Sequence, residues 1–169
     1  MRAIVVMGVS GCGKTTVAGL LADALGWDFL EGDRLHPPRN VELMSSGIPL
    51  TDDDRAPWLA EIATWMDERL ADGRSVVVAC SALARRYRDV LRRDDLTFVH
   101  LAGTRAQLAA RLSERQGHFM KAGMLDSQLA VLEPPQADED RLTVDVALSP
   151  ADAVAAICGR LQLYPSRAA

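Results

Sequence analysis

Residues 3–7 (AIVVM) form an unbroken apolar, β-branched run, the pattern of a strand buried on both faces. Glycines follow at 8, 11 and 13. Val17, Leu20, Leu21 and Leu25 then recur at helical spacing until Gly26 offers a stop. A second short strand is expected over 27–31. Residues 32–54 are polar and carry Pro37, Pro38 and Pro49, with a short helix expected around 40–46 among loops. Asp52, Asp53 and Asp54 supply an N-cap and a negative first turn for a helix bearing Trp58, Ile62, Trp65, Met66 and Leu70 on one face. Gly73 ends it, and 75–80 (SVVVAC) reads as another buried strand. Beyond it the pattern gives a helix over 83–93, a strand over 97–101 and a helix over 104–115. After a glycine break at 117–123 come a short helix at 125–132, a strand at 143–148 and a helix at 151–163. Strand and helix alternate throughout, which predicts an α/β fold with a parallel sheet and right-handed crossovers. The last six residues are expected to fray.

At 169 residues and 18.3 kDa the chain reads as a single domain over 1–169. A chain of this size buries roughly 70% of its unfolded surface, enough for a core without disulfides or structural metal. Hydrophobic content of 49% and charged content of 25% exclude disordered and fibrous classes. No apolar run approaches the ~20 residues needed to span a bilayer, and residues 3–7 are too short for a signal-peptide core. A cytoplasmic protein without a membrane partner is expected. Cys12, Cys80 and Cys158 are an odd count with no CxxC pairing, so reduced thiols are the default. The net charge of −4 argues against a nucleic-acid partner. Arg85, Arg86, Arg88, Arg92 and Arg93 do cluster, but Asp89, Asp94 and Asp95 offset them. Lysine occurs only at 14 and 121 in a chain otherwise supplied with arginine, and Lys14 lies in the glycine-rich run.

That run, Gly8-Val9-Ser10-Gly11-Cys12-Gly13-Lys14-Thr15, fits G-x-x-x-x-G-K-[ST] at every fixed position, directly after a buried strand and opening an amphipathic helix. Small residues let consecutive backbone N–H groups wrap a phosphate, and the helix adds its positive N-terminal dipole. Lys14 supplies a point charge to the β- and γ-phosphates, Thr15 a hydroxyl to Mg²⁺, and Thr16 reaches another phosphate oxygen. ATP with Mg²⁺ is the expected ligand pair. No N-K-x-D guanine motif is present, and the strand at 75–80 ends in Cys80-Ser81-Ala82 without the metal-holding Asp of the ATPases. A compact kinase is favoured over a switch or motor. Phosphorylating a hydroxyl needs a proton acceptor and cations around the transferring group. Asp33, just past the second strand, is the candidate base, with turn capping as its alternative role. Arg105, Arg111, Arg115, His118 and Lys121 surround the glycine break and fit a lid that closes over ATP and excludes water. Trp58, Trp65 and Met66 read as core and His100 as structural. Cys12, at a variable position of the glycine-rich loop, reads as a small spacer and not a nucleophile.

With these residues assembled, the chain resembles the gluconokinase family of small P-loop sugar-acid kinases. The matching segments are MGVSGCGKTT at 7–16, EGDRLHPPRN at 31–40, GIPLTDDDRAPWL at 47–59, CSAL at 80–83, YRDVLR at 87–92, HFMKAGMLDSQ at 118–128 and LEPPQADE at 132–139. The resemblance implies ATP-dependent phosphorylation of D-gluconate on its 6-hydroxyl. It also implies a P-loop NTPase three-layer sandwich with a five-stranded parallel sheet and a helical lid at about 105–128. It assigns Gly8, Ser10, Gly11, Cys12, Gly13, Lys14, Thr15 and Thr16 to ATP, Thr15 to Mg²⁺, and catalytic roles to Lys14, Asp33 and Arg115. Asp33, His36, Arg55, Ser81, Arg88 and Gln128 become substrate-pocket groups. Arg111 and Arg115 resemble lid arginines, and by analogy with shikimate kinases Arg111 and Pro150 sandwich adenine. Members of the family are commonly dimers, so a homodimer is expected. Two positions depart from the pattern: the family usually carries lysine where Leu43 and Ala84 stand, and Arg39 or Arg85 would have to replace them. Those departures keep open a kinase for another small hydroxy acid or polyol, with a non-enzymatic nucleotide-binding regulator as the outsider.

Overall fold

The computed structural model describes residues 1–114 and 122–164. Five strands, β1 (Ala3–Met7), β2 (Asp28–Glu31), β3 (Val76–Ala79), β4 (Leu96–Ala102) and β5 (Arg141–Asp145), form one sheet in the order β2-β3-β1-β4-β5. Every pairing is parallel. The helices are α1 (Lys14–Leu25), α2 (Pro38–Ser45), α3 (Asp52–Ala71), α4 (Arg85–Leu91), α5 (Arg105–Glu114), α6 (Ala122–Val131) and α7 (Pro150–Leu161). A 3-10 turn occupies Gly32–Leu35.

The unbroken apolar strands follow from burial on both faces. Ile4 and Val6 of β1 pack with α1 and α7 through Val17, Leu21 and Ile157. Ala3, Val5 and Met7 pack on the other face with α3 and α4 through Trp58, Ile62, Met66 and Leu91. The result is the parallel α/β fold that the alternating pattern anticipates, in the three-layer form that the family resemblance implies. After β1 the chain crosses to β2 at one edge, returns to β3, and then continues to β4 and β5 on the other side. The turn-around places the loops after β1, β2 and β3 side by side at the C-terminal edge of the sheet, where α/β folds bind ligands. The backbone shows the adjacency directly, since Gly8 N–H donates to the Ser81 carbonyl at 3.3 Å.

Several boundaries differ from the sequence pattern. The N-cap of α3 is Thr51, whose hydroxyl accepts from Asp54 N–H while the Asp54 carboxylate accepts from Thr51 N–H. The three aspartates form the first turn of the helix. β5 runs two residues earlier than expected and stops at Asp145, whose carboxylate accepts from Ala147 N–H. It is an edge strand with an alternating burial pattern, so its exposed residues Arg141 and Thr143 weaken the apolar signal. α4 is shorter than its periodicity suggests because residues 81–84 run over the end of the sheet first, with Ala82 at φ 42.

Candidate active site

Gly13 takes a left-handed conformation, φ 101, as the N-cap of α1 and offers no side-chain acceptor. The first N–H groups of α1 therefore end in an open cradle with positive dipole character. Lys14 folds back so that Nζ donates to the Val9 carbonyl at 3.1 Å. Thr15 and Thr16 are exposed on the first turn. The arrangement fits a phosphate chain: uncapped amides, a cation held by a weak internal acceptor, and a hydroxyl for Mg²⁺. Cys12 is buried beside it.

Beside the loop lies a cleft of about 150 Å³. Lys14, Asp33, His36, Arg55, Ser81 and Gln128, from separate stretches of the chain, all line it. Ile48, Leu50, Trp58, Leu83 and Val131 add apolar surface to its wall, and Ser10, Tyr87 and Ser127 further polar groups. Asp33 reaches it from the 3-10 turn, which Trp58 anchors by donating Nε1–H to the Gly32 carbonyl at 2.8 Å. The His36 ring stacks on Trp58 with centroids 4.1 Å apart. Asn40 Nδ2 donates to the Asp54 carbonyl at 2.7 Å and lies 3.4 Å from His36 Nδ1. With Asn40 as donor, the neutral ring carries its proton on Nε2. Burial lowers the His36 pKa; the neighbouring Asp33 opposes that shift and Arg55 adds to it. Arg55 Nη1 donates to the Leu50 carbonyl at 2.6 Å and to Tyr87 Oη at 3.1 Å, which fixes the guanidinium at the rim. Cys80 lies under this region, and burial pushes its thiol up to about 12, so it supplies no nucleophile.

A second cavity of about 320 Å³ opens on the other side of the loop, bringing Gly11, Gly13, Thr16, Arg111 and Pro150 together. Arg111 Nη2 donates to the Val146 carbonyl. Leu112 of α5 lies against Gly11. From the far side, Gln128 of α6 accepts from Ser10 N–H through Oε1 at 2.7 Å, and its Nε2 lies 3.3 Å from Ser10 Oγ. α5 and α6 thus both touch the phosphate loop. Arg115, His118 and Lys121 lie outside the described residues. Among the described residues no group of three or more His, Cys, Asp and Glu side chains could hold a metal ion, and no helix is long and apolar enough to cross a membrane.

Residues 4–135 match the sequence family described as an AAA domain. A gluconokinase from Gluconobacter oxydans is 58% identical over 145 residues, which cover 85% of this chain and 82% of that protein. The chain belongs to the gluconokinase family. A solved gluconokinase from Sinorhizobium meliloti superposes with a TM-score of 0.83 at 48% identity, covering 95% of each chain. An unliganded sugar kinase from Janibacter sp. superposes with a TM-score of 0.92 at 46% identity, covering 98% of this chain and 97% of its own.

Against the expectations drawn from the gluconokinase pattern, Arg88 is the correction. It does not line the cleft; it is fully buried and forms a bidentate pair with Glu139 at 2.6 and 3.0 Å. The guanidinium has no exposed surface, and Nε, Nη1 and Nη2 each have an internal partner. Neither Arg39 nor Arg85, the expected stand-ins for the gluconokinase lysines, lines the cleft. The Arg39 side chain is 81% exposed, 4.0 Å from Asp54, and Arg85 pairs with both carboxylate oxygens of Asp138. Ala84 is buried as the N-cap of α4. Sequence reasoning missed Tyr87, which holds Arg55, and took Trp58 for core alone. Trp58 is core on one side and cleft wall on the other, a double role open to any large amphipathic aromatic.

Proposed function

We propose that this gluconokinase-family chain transfers the γ-phosphoryl group of ATP to the 6-hydroxyl of D-gluconate, giving 6-phospho-D-gluconate and ADP. One observation carries the reading: residues distant in sequence converge on a small, half-apolar cleft that opens onto the phosphate loop at Lys14. Asp33 accepts the proton of the attacking hydroxyl. Lys14 exchanges its internal partner, the Val9 carbonyl, for the phosphoryl oxygens on which charge builds. Arg55 and neutral His36 orient the acid within the cleft, the guanidinium through the carboxylate and the imidazole through a hydroxyl. Thr15 would hold Mg²⁺, which would supply neutralising charge to the phosphate oxygens. Arg111 and Pro150 flank adenine in the second cavity, and α5 with α6 forms the lid that excludes water. Gln128, already on Ser10, joins acceptor and loop.

The test is ADP release with Mg·ATP against D-gluconate, related sugar acids, glycerate, shikimate and no acceptor. Strong stimulation by D-gluconate alone is expected. Stimulation by a different acid would keep the mechanism and move the specificity to the surroundings of Leu43 and Ala84. ATP binding without stimulation by any acceptor would overturn the kinase reading.

A further inference from the structure

Arg88 raises a question that its burial alone does not answer. Taking two charges out of water offsets most of their attraction, so an apolar pair of similar volume would stabilise the fold at least as well. Its contacts beyond Glu139 are more informative. Nη1 donates to the carbonyls of Ala82 and Leu83, each at 3.1 Å, and to that of Glu133 at 2.9 Å. These carbonyls belong to two different segments of the chain, each adjoining residues that line the cleft. Ala82 and Leu83 follow β3, next to Ser81, and both Ser81 and Leu83 line the cleft. Glu133 lies just beyond α6, whose Ser127, Gln128 and Val131 also line the cleft. The same junction carries Glu133 N–H to the Leu83 carbonyl at 2.9 Å and Arg85 N–H to the Glu133 carboxylate at 2.6 Å.

The Ser81–Leu83 wall needs such a brace. Ala82 holds φ 42, the left-handed region that a residue with a Cβ adopts only when its surroundings impose it. Its carbonyl is one of those Arg88 gathers. Glu139 orients the guanidinium from behind and is itself held by Gln136 N–H at 2.7 Å. None of these groups lines the nucleotide cavity.

We propose that Arg88, aimed by Glu139, is a positioning residue for the acceptor. It sets the Ser81–Leu83 wall against the α6 wall and so fixes the acceptor's pose without touching it. This rests on the acceptor cleft assigned above and adds a residue that no cleft contact would reveal. A lysine at 88 keeps a buried positive charge opposite Glu139 but is a point donor, unable to fork between the carboxylate and two stretches of main chain.

The experiment measures kcat and separate KM values for acceptor and ATP, with the melting temperature, in wild type, Arg88→Lys and the double variant Arg88→Met/Glu139→Gln. The acceptor is whichever acid stimulates the wild type, so a wrong acceptor assignment shows in the wild type alone. In both variants the acceptor KM should rise about 10-fold or more while the ATP KM stays within about 2-fold, the mark of a displaced wall. An unchanged acceptor KM in folded variants, with only a lowered melting temperature, would show a structural brace and overturn the proposal. So would acceptor and ATP KM values that rise together. If neither variant folds, Glu139→Gln decides. It keeps an acceptor for Gln136 N–H, should raise the acceptor KM about 3-fold at constant ATP KM, and overturns the proposal if it leaves the acceptor KM unchanged.

Discussion

Asp33 owes its place to the residue before it. A Cβ at Gly32 would stand 2.7 Å from the Ala79 carbonyl and 3.1 Å from Ile62 Cδ1, so only glycine lets the chain pass this close to β3 and α3. Trp58 Nε1 then ties the Gly32 carbonyl down, and the 3-10 turn delivers Asp33 to the cleft that Lys14 also lines. If Asp33 is the proton acceptor, Asp33→Asn leaves ATP affinity unchanged and lowers turnover by about 10²–10⁴, the range for losing a general base. Nucleotide titration beside initial-rate kinetics checks both halves, and a normal rate in the variant would assign the proton to another group or to water. Arg88 shows the other side of reading residues singly. In sequence it stands among arginines and aspartates that look solvated, while its partner Glu139 lies 51 residues further on. No local pattern signals that such a pair is buried.

Among the elements, legibility followed burial. β1 and β3 are covered on both faces, so their apolar runs are unbroken and their positions could be read directly. β5 has one covered face and polar residues on the other, and its boundaries slipped. The phosphate loop was readable because its chemistry demands fixed residues at fixed spacing between a strand and a helix. The capping box of α3 was written locally too, as Thr51 with Asp54 three residues on, yet the adjacent run of aspartates obscured it. What alternation of strand and helix leaves undetermined is the sheet order. Nothing in the hydrophobic pattern says that β3 enters between β2 and β1, and that insertion is what brings Ser81 beside Gly8 and makes the cleft. Lys14 and Asp33 could be read from the chain's own pattern, while His36, Arg55, Ser81 and Gln128 came from the family resemblance, residue by residue. Their convergence is a property of the fold.

For the whole molecule, two sets of groups tie stability to pH. Burial lowers the pKa of His36, and burial together with Arg88 lowers that of His100. A histidine whose folded pKa lies below its unfolded value of about 6.5 takes up protons more readily when unfolded, so stability falls as pH drops through that region. Asp67, held down by hydrogen bonds from Arg93, and Glu139, held down against its own burial by Arg88 and Gln136 N–H, act lower in the scale. Their contribution is present above the unfolded carboxyl value of about 4 and is lost below it. A melting temperature followed from neutral to acid pH should decline in two stages, the first beginning near pH 6.5 and weakened in His100→Gln. A flat profile down to about pH 4.5 would contradict the placement of both histidines. What the cleft holds, and which hydroxyl Asp33 meets there, decide the reaction. The measurement that reaches this most directly is phosphorus NMR of the product formed from D-gluconate and Mg·ATP. It should show a phosphate coupled to the methylene protons of the primary 6-hydroxyl position, formed one for one with ADP. ADP without a sugar phosphate, or a phosphate on a secondary hydroxyl, would contradict it.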